Sequence, residues 1–140
     1  YFTGLVDNSG ADLRVDDACQ RYENGLRATN NPEREGAIFH MTVREQFDTG
    51  FSAMVTNVRD RRFPIVDEEA QLVFAVVVFE HAADERSVTY HDGSVHEIAG
   101  PYAQPMGFLI GELFKIVDGR IHEIEAVLLT MPYGMATGWN

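Results

Sequence analysis

The dipeptide Asp118-Gly119 lies between two long runs rich in β-branched and aromatic residues, Phe108 to Val117 and Arg120 to Thr130. Asp-Gly tolerates φ > 0 at both central positions of a type I′ turn, so this segment has to fold as a two-residue β-hairpin. Pairing Val117 with Arg120 and continuing without interruption sets Lys115 opposite His122, Leu113 opposite Ile124, Glu112 opposite Glu125 and Ile110 opposite Val127. In this register Phe108, Ile110, Glu112 and Phe114 share one face with Glu125 and Val127. The other face carries Leu109, Gly111, Leu113, Ile124, Ala126 and Leu128 and is the cleaner apolar surface.

The hairpin belongs to a larger sheet. Leu72 to Phe79 is an almost unbroken apolar run, as expected of a strand covered on both faces, and it should lie centrally. Met54 to Arg61 reads as a strand that continues through Phe63 to Val66. Pro64 cannot donate to a ladder and therefore suits an edge or a bulge. Asn24-Gly25 closes a short strand at Gln20 to Glu23. Asp84 to Pro105 reads as a long loop with one short strand. Helices are expected before the sheet. Tyr1 to Val6 reads as the end of a helix that begins upstream and stops at the Asp7-Asn8-Ser9-Gly10 turn, where Gly10 suits φ > 0. Apolar spacing over Ile38 to Phe47 predicts a second helix. The fold class is therefore α+β, one domain over residues 1–140.

Composition narrows the function. The 140 residues include 22 acidic and 11 basic side chains, a formal charge of -11, and this field disfavours both nucleic acid and anionic membrane surfaces as partners. No apolar run approaches the roughly 20 residues that span a bilayer. Cys19 is the single cysteine, so an intrachain disulfide is impossible and a reducing cytoplasm is the expected location. No phosphate-binding glycine loop or nucleophile elbow occurs. His91, Asp92 and His96 lie close in sequence but match no metal-ligand spacing, and together with His122 they read as surface residues, so neither metal nor cofactor is expected.

Two carboxylates facing each other on a hairpin repel unless a cation or a proton intervenes. Glu112 is thus either a general acid or base in a pocket walled by Phe108, Ile110 and Phe114, or part of a structural network neutralised by Arg59, Arg61 or Arg62. Its counterpart is His81, which follows the apolar strand at the sheet rim; a rim histidine is a natural proton carrier, and its plainer role is a satisfied strand end. Tyr22 and His40 are the remaining polar candidates for the pocket.

Several segments carry a family resemblance: Arg21-Tyr22-Glu23-Asn24-Gly25, the stretch from Arg59 through Pro64 to Glu69, Glu112 to Ile121, and Pro132-Tyr133-Gly134-Met135. With these the chain resembles the SnoaL-like branch of the nuclear-transport-factor-2-like superfamily, and it is similar to sphingomonad lyases that remove formaldehyde from lignin-derived diarylpropanes. The resemblance implies a cone-shaped half-barrel, a curved antiparallel sheet with helices enclosing an apolar pocket. It also implies cofactor-independent lyase or isomerase chemistry on a small apolar, aromatic substrate. On that reading His81 is the acid or base, Glu112 its carboxylate partner, and Arg59 or Arg61 stabilises developing negative charge, while Tyr22 and His40 orient the substrate. The alternatives are a non-catalytic binding or dimerisation module, or an epoxide or ester hydrolase on the same scaffold. The apolar area of the sheet exceeds what one helical layer covers, so a homo-oligomer, dimer or trimer, is expected.

Overall fold

The computed structural model describes residues 1–139. Its main sheet has six strands in the order β2-β1-β8-β7-β4-β3. These are β1 (Val15–Glu23), β2 (Leu26–Arg27), β3 (Asn57–Asp67), β4 (Leu72–His81), β7 (Met106–Val117) and β8 (Arg120–Pro132). Every pair is antiparallel except β1 with β8, which run parallel. Two short helices, α1 (Phe2–Val6) and α2 (Val43–Asp48), lie against one face. Among the described residues no helix is long and apolar enough to cross a membrane.

Both predicted type I′ turns are present, with Asn24, Gly25, Asp118 and Gly119 all at positive φ. The register beyond the second turn differs from the uninterrupted one. Val117 pairs with Arg120 and Ile116 with Ile121, but Lys115 pairs with Glu123, leaving His122 as an extra residue in a bulge. That one-residue shift exchanges faces for all of β8 above the bulge. Phe114 therefore faces Ile124, Glu112 faces Ala126 and Ile110 faces Leu128, while Glu125 and Val127 turn to the outer face and are exposed. The expected Glu112–Glu125 pair does not exist.

β4 lies between β7 and β3 and sends Ala75 and Val77 into the core. β3 is the edge strand, and its register slips between Arg59 and Arg62 and again between Arg62 and Ile65, the interval that holds Pro64. The segment Ile38–Phe47 is not one helix. A 3-10 turn at Ala37–His40 ends before Thr42, whose side chain starts α2 through a reciprocal capping box with Glu45. Gly10 is required by proximity rather than by φ, since a Cβ there would lie 2.6 Å from the Arg44 carbonyl oxygen. The expected loop after β4 contains two short strands, β5 (Ser87–Thr89) and β6 (Val95–Glu97), and a 3-10 turn at Gly100–Ala103.

The core forms where α1 and α2 meet the inner face of the sheet. Phe2 packs edge-on against Phe79 and Phe114, and Tyr1 packs edge-on against Phe114 and at a tilt against Phe47. Packing at this end leaves space beside it, between the sheet and the segment that follows α2.

Candidate functional site

That space is a cavity of about 400 Å³. Phe47 from α2, Phe51 from the following turn, Phe79 from β4, Phe108 and Ile110 from β7 and Tyr102 give it a largely apolar wall. Its charged groups cluster at one place, where Arg21 and Glu23 of β1 and Glu112 of β7 face inward beside Tyr1, while Asn24, Ser52 and Thr130 add uncharged polar groups to the lining. The ladder explains how Glu112 is accommodated. It pairs with Ala126 on one side and with Ala75 on the other, and Ala126 pairs in turn with Glu23, so small side chains flank the carboxyl within one row of the sheet.

Glu112 is 2% exposed, and its Oε2 has no hydrogen-bond partner among the described residues. Burial pushes its carboxyl up to about 7, with nearby Glu23 adding to the rise, while Arg21 and the Tyr1 hydroxyl favour the charged form. Burial, reinforced by Glu112, also holds the Tyr1 phenol well above its ordinary value. Arg21 is buried and held on two sides. Its Nη2 donates to Gln46 Oε1 at 2.5 Å, and its Nε lies 2.9 Å from Glu23 Oε1. The Nε–H is not directed at that oxygen, which makes the second contact an ion pair without a hydrogen bond. Gln46 is anchored in turn by donating to the carbonyls of Ala28 and Ile38, each at 2.7 Å.

Of the residues singled out in the sequence, Glu112, Phe108 and Ile110 meet at this cavity, and Phe114 packs beneath it against Tyr1 and Phe2. The others lie elsewhere. His81 points to the inner face, but its ring is buried behind the cavity wall, with Nδ1 2.7 Å from the Met54 carbonyl and Nε2 2.6 Å from that of Tyr102. It therefore braces two residues that line the cavity. Arg59 pairs with Glu80 at 2.8 Å and donates to the Met135 carbonyl, because its position on β3 faces outward. Arg61 donates to the Val58 carbonyl and the Thr3 hydroxyl. Tyr22 alternates away from Arg21 and Glu23 and donates to Gln20 Oε1 at 2.6 Å. His40 Nε2 meets the Arg34 carbonyl at an exposed turn. His91 also lies apart, and His96 stacks on Tyr90 with its Nε2 at the Ser94 hydroxyl. Among the described residues no three His, Cys, Asp or Glu side chains are grouped to hold a metal ion.

Arg21, Glu23 and Tyr1 are the residues that sequence reasoning passed over. A usable signal was present: strand alternation from apolar Cys19 puts residues 21 and 23, not 22, on the inner face. Cys19 itself is buried, and burial pushes its thiol up to about 12, so it supplies no thiolate nucleophile.

Two solved structures align with this chain at low identity. AclR from Streptomyces galilaeus, assigned as a hydroxylase, is 11% identical over 83% of this chain and 71% of its own, with a TM-score of 0.47. A SnoaL-like polyketide cyclase from Agrobacterium tumefaciens is 18% identical over 92% of this chain and 85% of its own, also with a TM-score of 0.47. No curated protein sequence matches the chain. A family model described as a domain of unknown function, DUF8021, matches residues 1–128, and the chain belongs to that family.

Proposed function

We propose that the protein is a cofactor-independent lyase or isomerase in which Glu112 carries a proton to and from a small, largely apolar aromatic substrate. One observation carries this reading: a buried carboxyl with an unpartnered oxygen, poised near neutrality, lines a cavity whose other walls are mainly apolar. A carboxyl held near 7 divides between acid and base at working pH, the condition for efficient general acid–base catalysis. Glu112 in its charged form accepts the proton, and Arg21 beside it steadies the negative charge that develops during the transfer. The aromatic walls exclude water and hold a planar ring. His81 keeps the wall in place through Met54 and Tyr102.

A second reading has its own support. Arg21 is already engaged by Glu23 and Gln46, as expected of a structural ion network inside a non-catalytic binding module. One experiment separates the two. Aromatic ligands that raise the melting temperature are tested for turnover with wild-type protein and with Glu112→Gln, after exhaustive chelation and without added nucleotide. The enzyme reading expects turnover that survives chelation and falls about 100-fold or more in Glu112→Gln. Equal turnover by the two proteins, or ligands that bind and never react, would sink it.

A further inference from the structure

The charge pattern around Glu112 restricts what can occupy the cavity. Among the described residues Arg21 is the one arginine or lysine side chain that reaches it, and Glu23 lies 2.9 Å from its Nε. Arg21 Nη2 is taken by Gln46 Oε1. An incoming carboxylate or phosphate would thus meet an arginine already matched by one carboxylate and standing beside a second, Glu112. The chain's formal charge of -11 adds a repulsive field at longer range. An incoming amine faces the opposite difficulty, because pairing with Glu112 would bury its charge beside the Arg21 guanidinium.

Among the described residues no hydrogen-bond donor is directed at Glu112 Oε2, although the Tyr1 hydroxyl stands near the carboxyl and favours its charged form. Glu112 Oε2 is buried without a partner. An unmet buried acceptor of this kind costs free energy until a donor arrives, and a ligand that brings one gains that interaction. A ligand with the same ring and no donor does not.

We infer that the cavity selects uncharged aromatic molecules bearing a hydroxyl, which donates to Glu112, and that it discriminates against both carboxylates and amines of the same shape. The inference rests on Glu112 being the working carboxyl of the proposed function and names the class of molecule that it serves. The hydroxyl proton is then the one that Glu112 accepts.

The test uses wild-type protein and four probes on one biphenyl frame, para-phenylphenol, its methyl ether, biphenyl-para-carboxylate and biphenylmethylamine, with affinities read by calorimetry and checked by thermal shift. para-Phenylphenol is expected to bind most tightly, with the carboxylate and the amine weaker by about tenfold or more and the ether weaker by about fivefold. A carboxylate or amine that binds as tightly as the phenol overturns the inference, as does an ether that matches it. Failure of all four to bind overturns it too. The outcome is separable from that of the proposed function. A phenol-first ranking with unchanged turnover in Glu112→Gln removes the enzyme and leaves the selectivity, whereas a reversed ranking with Glu112→Gln inactive removes the selectivity alone.

Discussion

Arg21 and Gln46 are joined inside the protein by a 2.5 Å hydrogen bond from the arginine Nη2 to the glutamine Oε1, linking β1 to α2 directly behind the cavity wall. The other end of Gln46 holds the Ala28 and Ile38 carbonyls. Arg21 is thereby fixed where its charge acts on Glu112. Gln46→Leu leaves two carbonyls and a guanidinium without their partner, and a loss of about 2–4 kcal/mol in urea denaturation is expected. It also frees Arg21 to move, so the Glu112 carboxyl should titrate higher than in wild type. A carbon-detected NMR titration of the glutamate side chains reads this directly, and an unchanged Glu112 midpoint would show that Gln46 does not position Arg21.

Glu112 gives a second expectation, in the pH dependence of stability. Its folded value of about 7 lies above the ordinary 4.5, so the native state holds this proton more tightly than the unfolded chain. The stability it contributes is complete below about 4.5 and is lost as pH rises through about 7, on the order of 3 kcal/mol in total. Glu112→Gln should abolish that component. The melting temperature of the variant, measured against wild type, should rise between about pH 5 and pH 8. Parallel melting curves across that range would mean that Glu112 is not raised.

If Glu112 is the base, turnover should follow its ionisation, increasing with pH to a plateau above about 7. Arg21→Met removes the neighbouring positive charge and should move this midpoint upward. A wild-type midpoint retained in Arg21→Met would detach Arg21 from the site.

The hairpin, its turn residues and the apolar strand β4 were legible because each depends on short-range chemistry: φ > 0 at Asp118 and Gly119, and an apolar run from Leu72 to Phe79 in which Ala75, Val77 and Val78 are buried. The partner of Glu112 was not legible. It depends on the bulge at His122, and nothing local marks an inserted residue in a run of Arg-Ile-His-Glu-Ile. One missed residue reversed the face of Glu125 and hid Ala126 as the neighbour that makes room for Glu112. Arg21 illustrates the complementary difficulty. Its inward orientation follows from alternation, but only the parallel pairing of β1 with β8, a contact across a hundred residues of chain, brings it to Glu112. His81 was read as a rim residue, but the residues that enclose it, Met54 and Tyr102, come from distant turns.

His81 therefore invites a prediction of stability. Both ring nitrogens meet backbone carbonyls in a buried setting. His81→Ala should cost about 2–3 kcal/mol and loosen the Met54 and Tyr102 wall, weakening ligand binding. A variant as stable as wild type with a loss in turnover alone would instead make His81 a participant in the chemistry.

The outer face of the sheet leads to a prediction of assembly. Val127 and Leu129 on β8 and Ile65 on β3 are more than half exposed, and among the described residues only the non-helical C-terminal segment, where Arg62 lies over the Trp139 ring, reaches that face. Exposed β-branched and leucine side chains in adjacent rows are costly to keep in water, and a second copy presenting the same face would cover them. We propose a homodimer or trimer through this surface. Sedimentation equilibrium at micromolar concentration should give a multiple of 15.7 kDa. Val127→Lys and Leu129→Lys together should return the chain to its monomer mass without altering the cavity, since both side chains point away from Glu112. A wild-type chain that sediments as a monomer at these concentrations, or a double variant that still associates, would place the interface elsewhere or remove it.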